Sequence, residues 1–114
     1  STVSKHILNA RKIYKINSIK PSKKLSKKTG CSIKALEKIV NKGRGAYFSS
    51  GSRPNQTAES WGIARLASSI TGGKASAIDL NILQKGCKTT SKALKMAIKT
   101  KKKGTRRVPK INYK

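Results

Sequence analysis

Between Lys85 and Lys114 the chain carries twelve basic residues and no acidic one, and its first thirty residues carry nine and none. Residues 31–84 hold seven basic residues and all three acids, Glu37, Glu59 and Asp79. A nearly balanced centre is thus flanked by two cationic arms, and the formal net charge is +25. Self-repulsion of this size opposes compaction of the arms by themselves. An anionic partner relieves it. Nucleic acid is the first candidate, because each neutralised phosphate releases a counterion. Acidic protein surfaces and anionic lipid headgroups compete with it.

The 114 residues suffice for one domain with a modest core. The expected organisation is a basic N-terminal arm with a helix over 1–24, a helical core over 25–98 and a basic tail over 99–114. Apolar spacing predicts about six short helices and no strand, an all-α bundle with extended basic arms. Residues 4–16 place Ile7, Ala10 and Tyr14 on one helical face. Ser22 opens a short helix that Gly30 stops. Ser32 caps a helix over 33–42 with Ile33, Leu36, Ile39 and Val40 inward, ended by Gly43. Thr57 caps a helix over 58–71 whose Ile63, Leu66, Ala67 and Ile70 repeat at i, i+3, i+4 and i+7. Ser76 opens one to Lys85 with Ile78, Ile82 and Leu83 inward. Ser91 opens the last, with Leu94, Ala97 and Ile98 inward, to about Lys102. Beyond it, Pro109 argues for an extended tail.

The stretch "LSKKTGCSIKALEKIV", residues 25–40, resembles a helix-turn-helix. Leu25 and Leu36 pack two helices, Gly30 supplies the positive φ of a tight turn, and Cys31 is small enough to be buried in it. The outward face of the second helix then presents Lys34, Lys38 and Asn41, side chains suited to phosphates and base edges. A plain helical corner joined by glycine shares half of this pattern.

The central stretch "KGRGAYFSSGSRPNQT", residues 42–57, reads as a connector that doubles as an anion cradle. Arg44 and Arg53 carry forked donors that match phosphate or carboxylate, and Arg65 follows as a third exposed binding candidate. Tyr47 and Phe48 are expected to seal the core beneath the loop. In the tail, Lys101, Lys102, Lys103, Arg106 and Arg107 form the kind of basic cluster that contacts nucleic acid.

Other chemistry finds no foothold. "SITGGKAS", residues 69–76, departs from a P-loop because Ala75 follows Lys74 and Ser68 stands where the leading glycine belongs. Two cysteines 56 positions apart and a single His6 do not make a metal-ligand set. Three scattered acids supply no paired general acid and base, so neither enzymatic activity, a cofactor nor a small-molecule substrate is expected. Cys31 and Cys87 are expected as buried reduced thiols, a disulfide being the alternative. No apolar run approaches the roughly 18 residues of a membrane span. The N-terminus lacks the apolar block of a secretory signal, and Ser1 is the residue expected after removal of an initiator methionine.

One resemblance adds to this reading. The residues "KKTG" (27–30), "KGRGAYFSSGSRPNQTAESWGIARLASSITGGKASAID" (42–79) and "KGC" (85–87) are similar to an uncharacterised small domain of large eukaryotic DNA viruses and tailed phages. The resemblance implies a viral protein and carries no catalytic residues. With the charge, it leads to the expectation of a non-enzymatic minor capsid or virion component. Its arms would bind neighbouring capsid or other virion proteins, internal anionic material or an anionic inner membrane. Such a protein would reside in the virion, and in host cytoplasm or nucleus during assembly. The alternative is a DNA-binding protein of genome-compacting or helix-turn-helix type.

Overall fold

The computed structural model describes the backbone of residues 5–49 and 57–112 and the side chains of residues 5–48 and 57–102. Seven helices form among the described residues and no strand does: α1 (Lys5–Tyr14), α2 (Lys23–Thr29), α3 (Ile33–Ser49), α4 (Ala58–Ile70), α5 (Lys74–Ile78), α6 (Leu80–Gly86) and α7 (Lys92–Asn112). The all-α bundle follows from hydroxyl caps and apolar periodicity. Ser22 Oγ accepts from the Leu25 N–H at 3.2 Å, Ser32 Oγ from Ala35 at 3.1 Å, Thr57 Oγ1 from Ser60 at 3.0 Å and Ser91 Oγ from Leu94 at 3.2 Å. Each satisfies an amide that the first helical turn leaves without a partner.

The core gathers Leu25, Leu36, Ile39, Leu66, Ile70 and Leu83, all fully buried, from α2, α3, α4 and α6. α1 belongs to it through Ala10 and Tyr14, and the connector after α1 adds Ile16 and Ile19. Tyr14 also donates its phenolic hydrogen to the Ile70 carbonyl, one of the last acceptors of α4. α7 contributes Ala93, Leu94 and Ala97. No buried side-chain nitrogen or oxygen among the described residues lacks a partner.

Several expectations are corrected. Gly43 does not end α3, which runs on to Ser49 and makes the first part of the expected connector helical. The reason is packing. A Cβ built on Gly43 would lie 2.7 Å from Gly62 Cα, and one on Gly62 would lie 2.6 Å from the Val40 carbonyl oxygen. Bare backbone on both sides lets α3 and α4 pack against each other without a side chain between them. The helix expected over 76–85 is two helices, α5 and α6, because the chain turns at Asp79. That turn leaves Ile78 65 % exposed rather than inward, and buries Ser76, whose hydroxyl donates to the Gly73 carbonyl. Ile98 is partly exposed as well, lying at the edge of the α7 contact.

The tail expected to be extended has a helical backbone to Asn112, through Gly104 and Pro109. Phe48 is 69 % exposed and stacks edge-on against Tyr47 with ring centroids 5.4 Å apart. Only Tyr47 of the pair is buried; it also meets Trp61 at 6.1 Å.

The expected thiols are joined as a disulfide, Cys31–Cys87. Two backbone bonds flank it: the Ser32 N–H donates to the Gly86 carbonyl at 2.7 Å and the Lys88 N–H to the Gly30 carbonyl at 2.8 Å. Together they make an isolated antiparallel bridge in which Cys31 and Cys87 are the pair not bonded to each other through the backbone, the one that approaches most closely.

Candidate polyanion interface

The helix-turn-helix-like unit packs as its residues require. Leu25 and Leu36 are fully buried, Cys31 is 1 % exposed, and Gly30 sits at φ +78°. Lys34, Lys38 and Asn41 are exposed on the outer side of α3. Lys34 and Lys38 share a depression of about 250 Å³ with Lys85 and Asn81 of α6.

The three arginines divide. Arg44 is exposed and lies 4.0 Å from Glu59, a surface pair held loosely in solvent. Arg53 lies outside the described residues. Arg65, expected as an exposed binder, is taken by Asp79: Nε donates to Oδ2 at 3.0 Å and Nη2 to Oδ1 at 2.8 Å, and the carboxylate is fully buried. The Asp79 hydrogen bond raises the Arg65 pKa above its already high ordinary value, against a smaller opposing effect of burial. Arg65 is therefore a strut inside the fold, corrected because its carboxylate partner lies fourteen residues away and only folding joins them.

Lys101 and Lys102 are exposed on α7. Lys103, Arg106 and Arg107 continue the same helical backbone, their side chains lying outside the described residues.

A second basic site was not expected from the sequence. An open cleft of about 770 Å³ lies over the Cys31–Cys87 bridge, walled by Lys23, Lys24 and Lys27 of α2 and by Lys88. No acidic residue lines it. The signal was present in part: Lys23, Lys24 and Lys27 share one side of the Ser22-capped helix. Lys88 joins them through the Cys31–Cys87 pairing and its own N–H bond to the Gly30 carbonyl. With Asp79 consumed by Arg65 and Glu59 facing Arg44, Glu37, exposed on α3, is the one acid left against the surface lysines.

Among the described residues no group of three or more His, Cys, Asp and Glu side chains is placed to hold a metal ion. No helix among them is long and apolar enough to cross a membrane.

Residues 1–86 match the model of a family of unknown function, DUF5824. The chain belongs to that family. No curated protein and no solved structure matches it. The DUF5824 match ends one residue before Cys87, so the second half of the disulfide and all of α7 lie beyond it.

Proposed function

We propose that this DUF5824 member is a non-enzymatic structural protein of a viral particle, a small basic minor capsid or virion component that binds anionic material or neighbouring virion proteins. The observation that carries the reading is charge placement. Lysines cover the outer sides of α2, α3 and α7, while the one buried acid is spent inside the fold on Arg65. Such a surface is stable in close company only where negative charge lies against it. The viral setting rests on the motif spanning residues 27–30, 42–79 and 85–87. The α7 segment carries its cations on a helix rather than a flexible thread, so binding is made by a presented face.

The test is fractionation of purified, nuclease-treated particles, with quantification of the protein before and after washes of rising salt. Retention at stoichiometric copy number through low-salt washing, with release at high salt, is expected. Absence from intact particles would overturn the reading.

A second reading, sequence-directed DNA binding, is favoured by the preserved α2–turn–α3 packing with Lys34, Lys38 and Asn41 on its outer side. Selection from a pool of random duplexes tests it. Enrichment of one motif, abolished in Asn41→Ala, is the expected result, and an unenriched pool would exclude base reading by α3.

A further inference from the structure

The cleft over the disulfide lies beside the start of α7. Three interactions fix them together. Ser91, the residue before α7, donates its hydroxyl to the Thr29 carbonyl at 2.6 Å. A Cβ on Gly30 would meet Ser91 Cβ at 3.2 Å, so the end of α2 touches the start of α7. The Cys31–Cys87 bond locks the two segments covalently.

From that junction α7 carries Lys92, Lys95, Lys99 and Lys102, all exposed. Their spacing of i, i+3, i+7 and i+10 places them on one helical stripe. At about 1.5 Å per residue the stripe is roughly 15 Å long. Arg106 occupies the next register position of the same helix.

The chemistry of the surface selects its partner. The four lysines of the α7 stripe and the four of the cleft are point charges without forked donors, suited to phosphate and poor at reading guanine. No carboxylate lines the cleft. An interfacial membrane helix needs a free apolar face beside its basic one. Here Ala93, Leu94 and Ala97 are buried in the core, which leaves lipid little to take. A regular row of cations is matched by a regular row of anions. Duplex DNA offers about one phosphate per 1.7 Å of axis counting both strands, so a stripe of this length has several phosphates within reach.

We propose that this band, from Lys23, Lys24, Lys27 and Lys88 along Lys92, Lys95, Lys99 and Lys102, is a track for the backbone of duplex DNA that engages phosphates without reading bases. The proposal deepens the anionic-partner reading above and rests on it.

Two charge-matched variants of the full, oxidised chain test it. The track variant carries Lys23→Gln, Lys27→Gln, Lys88→Gln and Lys95→Gln. The control carries Lys5→Gln, Lys12→Gln, Lys15→Gln and Lys42→Gln, all exposed and off the band. Equal helical circular dichroism establishes that both fold. Binding to a labelled mixed-sequence duplex is followed by anisotropy from about 50 to about 200 mM salt. The log–log salt slope of the track variant is expected to fall by about 3.6, at about 0.9 per phosphate left without its lysine, and that of the control by less than about 1.

Equal falls in both variants would overturn the track, because total charge rather than position would then govern binding. Absence of salt-dependent duplex binding by the wild-type chain would overturn it too, as would capture by vesicles rich in anionic lipid without binding to duplex. None of these results touches presence in purified particles, so the track and the virion reading fail separately.

Discussion

Arg65 of α4 grips Asp79, the residue between α5 and α6, through two parallel N–H···O bonds, and Ser69 donates its hydroxyl to the same carboxylate at 2.9 Å. The carboxylate is fully buried, whereas the arginine keeps 18 % of its side chain exposed. The two partners are therefore not equivalent. Removing Arg65 strands a buried charge, and Arg65→Ala is expected to cost about 3–5 kcal/mol. Removing Asp79 leaves a guanidinium able to reach solvent, so Asp79→Ala should cost less. Chemical denaturation of both variants and of the double variant checks this. Equal single losses, or a double variant worse than Arg65→Ala, would contradict it.

The α3–α4 packing gives the second expectation. Gly62→Ala places a methyl 2.6 Å from a backbone carbonyl that cannot swing away, so a loss of about 1–3 kcal/mol is expected. Gly45 lies in the same helix as Gly43, yet a Cβ there meets nothing within 4 Å among the described residues. Gly45→Ala should then raise stability by about 0.5–1 kcal/mol through helix propensity. Opposite shifts in the denaturation midpoint for two glycine-to-alanine changes are the readout.

These glycines show what was and was not legible in the sequence. Local signals carried far: Ser22, Ser32, Thr57 and Ser91 all cap as their positions predict, and Gly30 takes the left-handed φ of a helix stop. Gly43 failed because a glycine that stops a helix and a glycine that admits a neighbouring backbone look alike until the neighbour is known. Arg65 failed for the same reason, since its exposure depended on Asp79. Lys34, Lys38 and Asn41 were placed by periodicity alone, whereas the cleft lysines needed a cysteine pair 56 residues apart. Long-range pairing, which no local pattern encodes, accounts for each of these misses.

That cysteine pair sets the third expectation. Closing a loop of this length removes denatured-state freedom worth about 4 kcal/mol in the chain-entropy model. Cys31→Ser with Cys87→Ser, or reduction of the wild-type protein, should lower stability by about 2–5 kcal/mol. Parallel denaturation curves with and without reductant test it, and the double-serine variant should be insensitive to reductant. Superimposable curves for the wild-type chain would remove the bond from the account of stability.

Tyr14 provides a pH dependence. Burial raises its pKa well above the usual 10.0, and its hydroxyl donates to the Ile70 carbonyl. The unfolded chain loses this proton near pH 10 while the folded chain keeps it. The contribution is therefore whole below about pH 10 and is lost as pH rises towards the folded value, by about 1.4 kcal/mol per pH unit. Tyr14→Phe should cost about 1–2 kcal/mol at neutral pH, because the carbonyl is left without its donor. Above about pH 10 the gap between wild type and variant should close, lysine titration being common to both. A gap that stays constant to about pH 11 would show that Tyr14 ionises equally in both states.

The end of α7 separates folding from binding. Its core residues, Ala93, Leu94 and Ala97, lie in the first two turns, and Thr100 Oγ1 donates to the Gly72 carbonyl at 2.7 Å to pin the helix against the α4–α5 turn. A chain ended after Lys102 keeps all of these. It removes five basic residues, Lys103, Arg106, Arg107, Lys110 and Lys114. Its stability is expected to stay within about 1 kcal/mol of the full chain, because the buried residues described for α7 and the Thr100 bond are all retained. Its duplex-binding salt slope should still fall, by about 0.9 for each phosphate that the removed residues had neutralised. A chain ended at Gly86 behaves differently. It forfeits the disulfide and uncovers the side of the bundle on which α7 packs, so loss of cooperative unfolding is expected. A cooperative transition in that shorter chain would show that residues 1–86 fold on their own and that α7 is an addition to a finished body.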